Sequence, residues 1–406
     1  MTELSTIMMN QPITNIGMLG SVSDGKSTTV YQLTGTKTQK HSKEQKRNIT
    51  IKPGYANMKI YKNDNHLSST NSSKKMDGKL VNHISFIDCP GHYELIMTML
   101  ANIDLMKGAI VIVSAAEPIN KKPQLLQHLM AVKIANFKNV IICFNKLDLV
   151  SKKIALERKD ELDKLLLELR IKPKVIIPVC MNKTVGINYL LDNIMEYFPP
   201  VIHETSRNVQ FRISRSFDIN KKNIHYKDIK GGVLGGSLVS GKLNVGDSIE
   251  IKPGIIKKKE DGTFECITIK TKVISLQTDT EQLDSIIPGG LIGIRTTIDP
   301  FYCKDDNLSG NIVGLVDTLP PVYNEVNIEL KYNNINFGDD KWIPQVNDKI
   351  NLQISTCSVT GIVKIFNTNL IIKLDKPVCI DKNMMIIISR TVNKTLNILG
   401  YGFLND

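Results

Sequence analysis

The chain has 406 residues, 42% of them hydrophobic, enough to bury a large core in two or three domains. No apolar run approaches the roughly 18 residues that cross a bilayer, and Met1 to Asn10 lacks the charged-then-apolar layout of a signal peptide, which argues against a membrane or secreted protein and predicts a cytoplasmic one. Lys plus Arg number 52 against 40 Asp plus Glu, and the resulting net charge of +12 favours polyanionic partners, nucleic acid foremost.

The first buried strand is predicted at Ile13 to Met18, and a helix follows from Lys26 to Leu33. Between them, Gly20-Ser21-Val22-Ser23-Asp24-Gly25-Lys26-Ser27 fits G-x-x-x-x-G-K-[ST], with Thr28 one step further into the helix. The glycines let the backbone wrap a phosphate, and the N–H groups at the helix start point at it. Lys26 is expected on the β- and γ-phosphate oxygens and Ser27 on Mg²⁺. Arg47-Asn48-Ile49-Thr50 lies in the polar loop that follows, where the Thr50 hydroxyl would complete the Mg²⁺ shell only while a γ-phosphate is present. Lys62 to Lys79 is polar, without periodicity, and reads as a mobile loop.

A strand at Ile84 to Asp88 ends in Asp88-Cys89-Pro90-Gly91, where Asp88 would reach Mg²⁺ through water and the Gly91 N–H would meet the γ-phosphate. His92, next in the chain, is the candidate for orienting an attacking water; a capping or surface role is its plainer alternative. Further strands are expected at Ala109 to Val113, Val140 to Phe144 and Val175 to Val179, alternating with helices at Tyr93 to Leu105, Pro123 to Ala135, Lys152 to Leu169 and Gly186 to Phe198. That alternation predicts an α/β domain, a mostly parallel sheet with helices on both faces. Asn145-Lys146-Leu147-Asp148 closes one of these strands, and a carboxylate at Asp148 can accept from both N1–H and the exocyclic amine of guanine. Three such elements, each at the carboxyl end of a strand, point to GTP or GDP as the ligand.

Pro199-Pro200 ends the alternation. Beyond about residue 203 come short β-rich runs with glycine turns, a barrel pattern, and Leu319-Pro320-Pro321 marks a second break. The expected domains are 1–203, an α/β P-loop GTPase, then β-barrels at 204–320 and 321–406. The seven cysteines stand singly with no C-x-x-C pair, so neither a structural zinc nor a disulfide framework is expected.

With these motifs on the page, the chain resembles the gamma subunit of eukaryotic and archaeal translation initiation factor 2 over nearly its whole length. The likeness rests on Arg47-Asn48-Ile49-Thr50-Ile51-Lys52, Gly54-Tyr55-Ala56-Asn57 and Asp88-Cys89-Pro90-Gly91-His92. In the second domain it rests on Arg215-Ser216-Phe217-Asp218-Ile219-Asn220, Lys230-Gly231-Gly232-Val233-Leu234-Gly235-Gly236-Ser237 and Pro288-Gly289-Gly290-Leu291-Ile292-Gly293. The resemblance implies a slow GTPase with Mg²⁺, assembled with alpha and beta subunits, that carries initiator methionyl-tRNA to the small ribosomal subunit. It implies that Lys26, Thr50 and His92 serve hydrolysis, and that Cys180-Met181-Asn182 stand where the family's S-A-x triplet meets guanine, largely through backbone N–H groups. It further implies that the methionylated acceptor end sits near Tyr55 and Gly231, Gly232, Gly235 and Gly236; without the resemblance, Tyr55 reads as a half-buried strand aromatic.

Four departures stand out. Ser21 and Asp24 occupy positions where the family usually has histidine, and a carboxylate at Asp24 is expected to face outward, toward solvent or a basic side chain, because it would repel phosphate. Cys180-Met181 replaces Ser-Ala, Pro53 replaces leucine, and the family's cysteine-rich zinc knuckle has no cysteine here. An elongation or selenocysteine factor of the same architecture is one competing expectation; a non-catalytic homologue that binds partner subunits or tRNA without cycling is the other.

Overall fold

The computed structural model describes residues 3–39, 50, 52–64, 66–71, 73–92, 95–201, 203–221, 223–279, 281–332, 344–366, 369–392 and 395–405. It contains two compact units, Met1–Ile202 and His203–Asp406.

The first unit is built on strands β1 Thr14–Leu19, β2 Gly54–Asn63, β3 His66–Asn71, β4 Lys79–Asp88, β5 Gly108–Ser114, β6 Val140–Asn145 and β7 Val175–Pro178. They form one sheet in the order β3-β2-β4-β1-β5-β6-β7. β1 runs parallel to β4 and β5, as do β5 to β6 and β6 to β7, while β2 is antiparallel to β3 and β4. Every residue of β5 and β6 is buried. Successive side chains point to opposite faces, so both faces are covered, and these strands read as continuous apolar runs. The helices are α1 Glu3–Asn10, α2 Lys26–Thr34, α3 Ile96–Leu100, α4 Pro123–Ile134, α5 Lys152–Glu168 and α6 Ile187–Tyr197. Val30 and Leu33 of α2 join Leu190, Leu191 and Ile194 of α6 in a core with Ile16, Met18 and Ile112 of the sheet. Local signals set the helix ends: Pro123 opens α4, the Ser151 hydroxyl caps α5 by accepting from the Ile154 N–H, and Gly35 at φ 68° stops α2.

The structure departs from the sequence expectations in three places. The predicted mobile loop at Lys62 to Lys79 contains a strand: β3 pairs with β2 from Met58↔Asn71 to Asn63↔His66. No residue of β3 is buried. An edge strand held by one ladder needs no apolar alternation, and its Ser, Thr and Asn content hid it. Leu67 still packs on the core, and the Ser69 hydroxyl donates to the Leu33 carbonyl at 2.9 Å. The helix expected over Tyr93 to Leu105 is a single turn and a half at Ile96–Leu100 followed by a 3-10 turn at Ile103–Leu105, with residues 93 and 94 outside the described set. The Asn102 amide donates back to the Thr98 carbonyl at 2.9 Å where the regular helix stops. Finally, Glu3–Asn10 is helical, and its Met8 carbonyl accepts from His83 Nδ1 at 2.7 Å.

The second unit contains two antiparallel barrels. In chain order come β8 Gln210–Phe217, β9 Val233–Ser240, the short β10 Leu243–Asn244, β11 Ser248–Lys258, β12 Phe264–Thr278, the short β13 Glu281–Leu283 and β14 Ser285–Ile286, β15 Ile292–Thr296 and β16 Ile312–Leu315. The longer ones follow one another in the order β11-β16-β8-β9-β15-β12, and β11–β12 pairing closes the ring. β17 Val322–Tyr332, β18 Lys349–Ile354, β19 Cys357–Phe366, β20 Leu370–Cys379, β21 Ile386–Val392 and β22 Thr395–Leu404 close a second ring. Each ring encloses its own apolar core, around Phe211 and Ile294 in the first and Ile328 and Ile388 in the second. Closure removes the free sheet edges that open β-sheets expose.

Candidate functional site

The site grows from the turn between β1 and α2. Gly20 sits at φ 135°, Ser23 at φ 61° and Gly25 at φ 108°. A Cβ on Gly25 would come within 2.5 Å of Asn145 Nδ2, so both conformation and space demand glycine there. No side chain caps α2 among the described residues, which leaves its first N–H groups facing the turn. Lys26 Nζ lies over the same turn and donates to the carbonyls of Gly20 at 2.9 Å and Ser21 at 2.8 Å. Burial holds the Lys26 ammonium below its ordinary range, with Asp88 and Asp24 pulling the other way.

Asp24 does not face solvent. Its carboxylate is buried, accepts the Ser21 N–H at 3.0 Å and meets Lys122 Nζ at 2.6 Å. Of the two directions expected for it, the basic partner is the one realised, inside the protein and behind the loop. Neither Gly20 nor Asp24 lines the cleft, whereas Ser23, Gly25, Lys26, Ser27 and Thr28 do.

Ser27 and Thr50 line the cleft, and with Asp88 and Thr38 they make a cluster of four oxygen-bearing side chains. Ser27 Oγ and Thr38 Oγ1 each donate to Asp88 Oδ2 at 2.6 Å, and Ser27 Oγ lies 3.3 Å from Thr50 Oγ1. Hard oxygen donors of this kind suit Mg²⁺. Arg47, Asn48 and Ile49 lie outside the described residues. Gly91 closes over the loop: a Cβ there would come within 2.5 Å of Lys26 Nζ and 2.8 Å of the Val22 nitrogen. His92 is half-buried and lines the cleft beside Gly91; it precedes α3 by four positions, so it is not a helix cap. The sequence reading missed Thr38, whose position in the chain carries no motif.

The far end of the cleft is formed after β6 and β7. Asn145 is buried and ties two loops together, donating from Nδ2 to the Asp24 carbonyl at 2.9 Å and accepting the Met181 N–H on Oδ1 at 3.1 Å. Lys146 adopts a left-handed conformation at φ 61°, and Asp148 follows at the rim with Lys183 Nζ 3.3 Å from its Oδ2. The Cys180 thiol hydrogen-bonds Asp148 and, with Lys183, holds its carboxyl below the ordinary range; burial first, then that carboxylate, pushes the thiol up. Lys146, Asp148, Cys180, Met181 and Asn182 all line the cleft. Lys183 was not foreseen, although it directly follows the triplet.

The remaining predicted residues are not among those that line this cleft. Tyr55 is half-buried on β2 and donates its hydroxyl to Asn102 Oδ1 at 3.1 Å. The glycines belong to the second unit, where barrel packing demands several of them. A Cβ on Gly231 would lie 2.0 Å from the Thr296 carbonyl oxygen, on Gly232 2.2 Å from Cys303 Sγ, and on Gly236 1.8 Å from the Arg212 carbonyl oxygen. Gly235 is less confined, with a Phe217 ring carbon at 3.1 Å. Among the described residues, no three His, Cys, Asp or Glu side chains cluster to hold a metal, and no helix is long and apolar enough to cross a membrane.

Comparison with known proteins bears on the same chemistry. The profile of the elongation factor Tu GTP binding domain matches residues 11–200, and that of initiation factor eIF2 gamma, C terminal, matches residues 341–404. The chain is 37% identical to the eukaryotic translation initiation factor 2 subunit gamma of Encephalitozoon cuniculi, over 100% of this chain and 95% of that one. It is 36% identical to the translation initiation factor 2 subunit gamma of Methanococcus vannielii, over 98% and 100%, and 35% identical to the eukaryotic translation initiation factor 2 subunit 3 of Drosophila melanogaster, over 99% and 90%. Among solved structures, the fold is similar to a bacterial selenocysteine-specific elongation factor, with TM-score 0.73 at 19% identity, covering 97% of this chain and 58% of that protein's length. It is similar at TM-score 0.73 and 19% identity to the elongation factor SelB of Methanococcus maripaludis in complex with the GTP analogue GppNHp, covering 98% of this chain and 80% of that one.

Proposed function

The chain belongs to the family of translation initiation factor 2 gamma subunits, which are translational GTPases, and on that premise we propose that its cleft binds GTP and GDP with Mg²⁺ to govern delivery of initiator methionyl-tRNA to the small ribosomal subunit. One observation carries the reading. Ser23, Gly25, Lys26 and Ser27, then Gly91, then Asn145, Lys146 and Asp148, then Cys180, Met181 and Asn182, from four stretches distant in sequence, line a single cleft. Alpha and beta subunits as partners, and a division of the second unit into two domains near residue 320, belong to the same proposal.

Asp148 would accept from N1–H and the exocyclic amine of guanine, and the Met181 and Asn182 backbone would face the base. The loop amides and Lys26 would hold the β- and γ-phosphates, Lys26 exchanging two carbonyl acceptors for phosphate oxygens. Ser27, Asp88 and Thr50 would hold Mg²⁺, which when bound neutralises charge on the phosphates. Hydrolysis is attack of water on the γ-phosphorus: the new P–O bond forms as the bond to the β–γ bridging oxygen breaks, giving GDP and phosphate. His92, placed beside Gly91, would orient the water, and Lys26 would offset charge on the bridging oxygen. The net charge of +12 supports a polyanionic partner.

The test has two parts. GDP and GTP should compete for one site that ATP does not enter. In the GTP state the chain should then prefer methionylated over uncharged initiator tRNA, with affinity falling as salt rises because phosphate contacts release counterions. Equal affinity for ATP would overturn the guanine assignment. Indifference to both aminoacylation and nucleotide would favour a homologue that binds without cycling.

A further inference from the structure

We propose that Lys122 is a positioning residue for nucleotide binding: by holding the Asp24 carboxylate behind the phosphate loop, it leaves Lys26 available to the phosphates. The pair is 2.6 Å long and each side chain is 2% exposed. Lys122 sits outside the cleft lining, on the turn that leads into Pro123 at the start of α4, 98 positions from Asp24. Its remaining reach is to the Ser114 carbonyl at 3.1 Å, at the end of β5. It therefore ties the phosphate loop to the core strand beside it, and acts on the nucleotide only through Asp24.

Asp24 has its own reason to need the partner. One carboxylate oxygen accepts the Ser21 N–H, the other faces Lys122, and the backbone carbonyl accepts from Asn145. The loop is thus pinned through Asp24 at three points. Lys26 Nζ, the next basic group, bonds the carbonyls of Gly20 and Ser21. A buried carboxylate stripped of its counter-charge must find another or take up a proton. Asp24 already acts electrostatically on Lys26, so Lys26 is the nearest replacement on the loop itself. Drawn to Asp24, it would be lost to phosphate, and any charge left uncompensated would repel the nucleotide's phosphates. Lys122 removes both effects. The arrangement explains how a loop carrying an acidic residue in its centre can remain a phosphate site.

The inference rests on the guanine-nucleotide reading, and the unmodified chain is its control. Dissociation constants for a fluorescent GDP are measured for the unmodified protein, Lys122→Gln, Lys122→Arg and the double variant Asp24→Asn/Lys122→Gln, with thermal unfolding recorded for each. Lys122→Gln should weaken GDP binding on the order of tenfold to a hundredfold. Lys122→Arg keeps the charge and should recover part of the loss. The double variant removes the stranded carboxylate and should bind within about threefold of the unmodified chain. A role confined to stability would lower the unfolding temperature while leaving affinity of the folded protein unchanged, and that result overturns the proposal. So does a double variant as weak as Lys122→Gln. If Lys122→Gln does not fold, the double variant decides alone: near-native binding supports the proposal and weak binding overturns it. Failure of the unmodified chain to bind GDP overturns the nucleotide reading and this inference with it. Normal binding by both it and Lys122→Gln overturns this inference only.

Discussion

The Ser27 hydroxyl donates to Asp88 Oδ2 across 2.6 Å, joining the first turn of α2 to the end of β4 over 61 positions of chain. Thr38 donates to the same oxygen. A hydroxyl that gives its proton to a carboxylate keeps its oxygen lone pairs for a cation, so this network leaves the Ser27 oxygen able to ligate Mg²⁺. Ser27→Ala should remove one ligand and lower the Mg²⁺ dependence of GDP release. In the unmodified chain, EDTA should speed GDP release by about tenfold or more, and in Ser27→Ala the two rates should nearly coincide. Equal sensitivity to EDTA in both proteins would remove Ser27 from the metal site.

Guanine selectivity should depend on the charge at Asp148. The Cys180 thiol and Lys183 hold this carboxyl below its ordinary range. A carboxyl depressed in this way stays ionised above its lowered pKa and loses its charge only as pH falls through that value. Nucleotide affinity should therefore stay level as pH falls to about 5, with the loss deferred below the usual carboxylate range. Asp148→Asn should cost about a hundredfold in GDP affinity and gain affinity for xanthine nucleotides, whose ring carbonyl complements an amide. Competition binding with GDP, xanthosine diphosphate and ADP reads all three.

Much of the architecture and most cleft-lining positions were legible because they depend on local pattern. β5 and β6 are buried on both faces, so their apolar runs identify them without knowledge of neighbours. The turn around Gly25 follows from glycine chemistry. What stayed hidden depends on pairing across the chain. β3 is a polar edge strand fixed by its register with β2. Thr38 and Lys122 acquire their roles from Asp88 and Asp24, 50 and 98 positions away. Asp24 itself was seen as a charge that must avoid phosphate, yet its burial could not be inferred without its lysine. Tyr55 and the Gly231–Gly236 segment fall in separate units, and the local geometry of each is accounted for within its own unit.

Two histidines should make the first unit sensitive to mild acid. His83 and His128 are fully buried, and burial lowers each to about 3. In the unfolded chain they titrate near 6.5. Below that pH the unfolded state takes up protons that the folded state refuses, so stability falls as pH drops from about 6.5 toward 3. The slope is roughly 1.4 kcal/mol per pH unit for each residue. His128 makes no hydrogen bond from either ring nitrogen among the described residues, so His128→Leu sacrifices none. Urea unfolding between pH 7.5 and 5 should show a loss that steepens below about pH 6.5 in the unmodified chain and about half that slope in His128→Leu. An unchanged slope would mean that His128 accepts its proton in the folded state.

The barrel glycines separate packing from recognition. A Cβ on Gly236 meets the Arg212 carbonyl at 1.8 Å, a strand backbone that must move to admit it. Gly236→Ala should destabilise the second unit by about 1–3 kcal/mol. On Gly235 the contact is a Phe217 ring carbon at 3.1 Å, which can yield by a small rotation. Gly235→Ala should change stability by less than about 1 kcal/mol. Denaturant unfolding distinguishes the two. Gly235→Ala is then the clean probe of acceptor-end binding, because a loss of tRNA affinity there cannot be assigned to a disrupted barrel. Equal stability of both variants would mean that β8 and β9 tolerate separation at Gly236.

Catalysis should separate from binding at His92. The side chain lines the cleft next to Gly91, the residue that packs against Lys26 and the phosphate loop, and α3 begins only at Ile96. In the proposed site, nucleotide affinity rests on Lys26, Ser27, Asn145 and Asp148. Water placement for attack on the γ-phosphorus rests on His92 alone among the proposed contacts. His92→Ala should therefore leave GTP and GDP affinities within about twofold while turnover falls by about a hundredfold. Single-turnover hydrolysis, with protein in excess over GTP, measures the chemical step directly, and a GDP titration measures binding on the same preparation. A parallel loss in both would show that His92 supports the loop rather than the water. Unchanged turnover in the presence of an activating partner would remove His92 from the reaction and leave the loop amides, Lys26 and Mg²⁺ as the groups that lower the barrier.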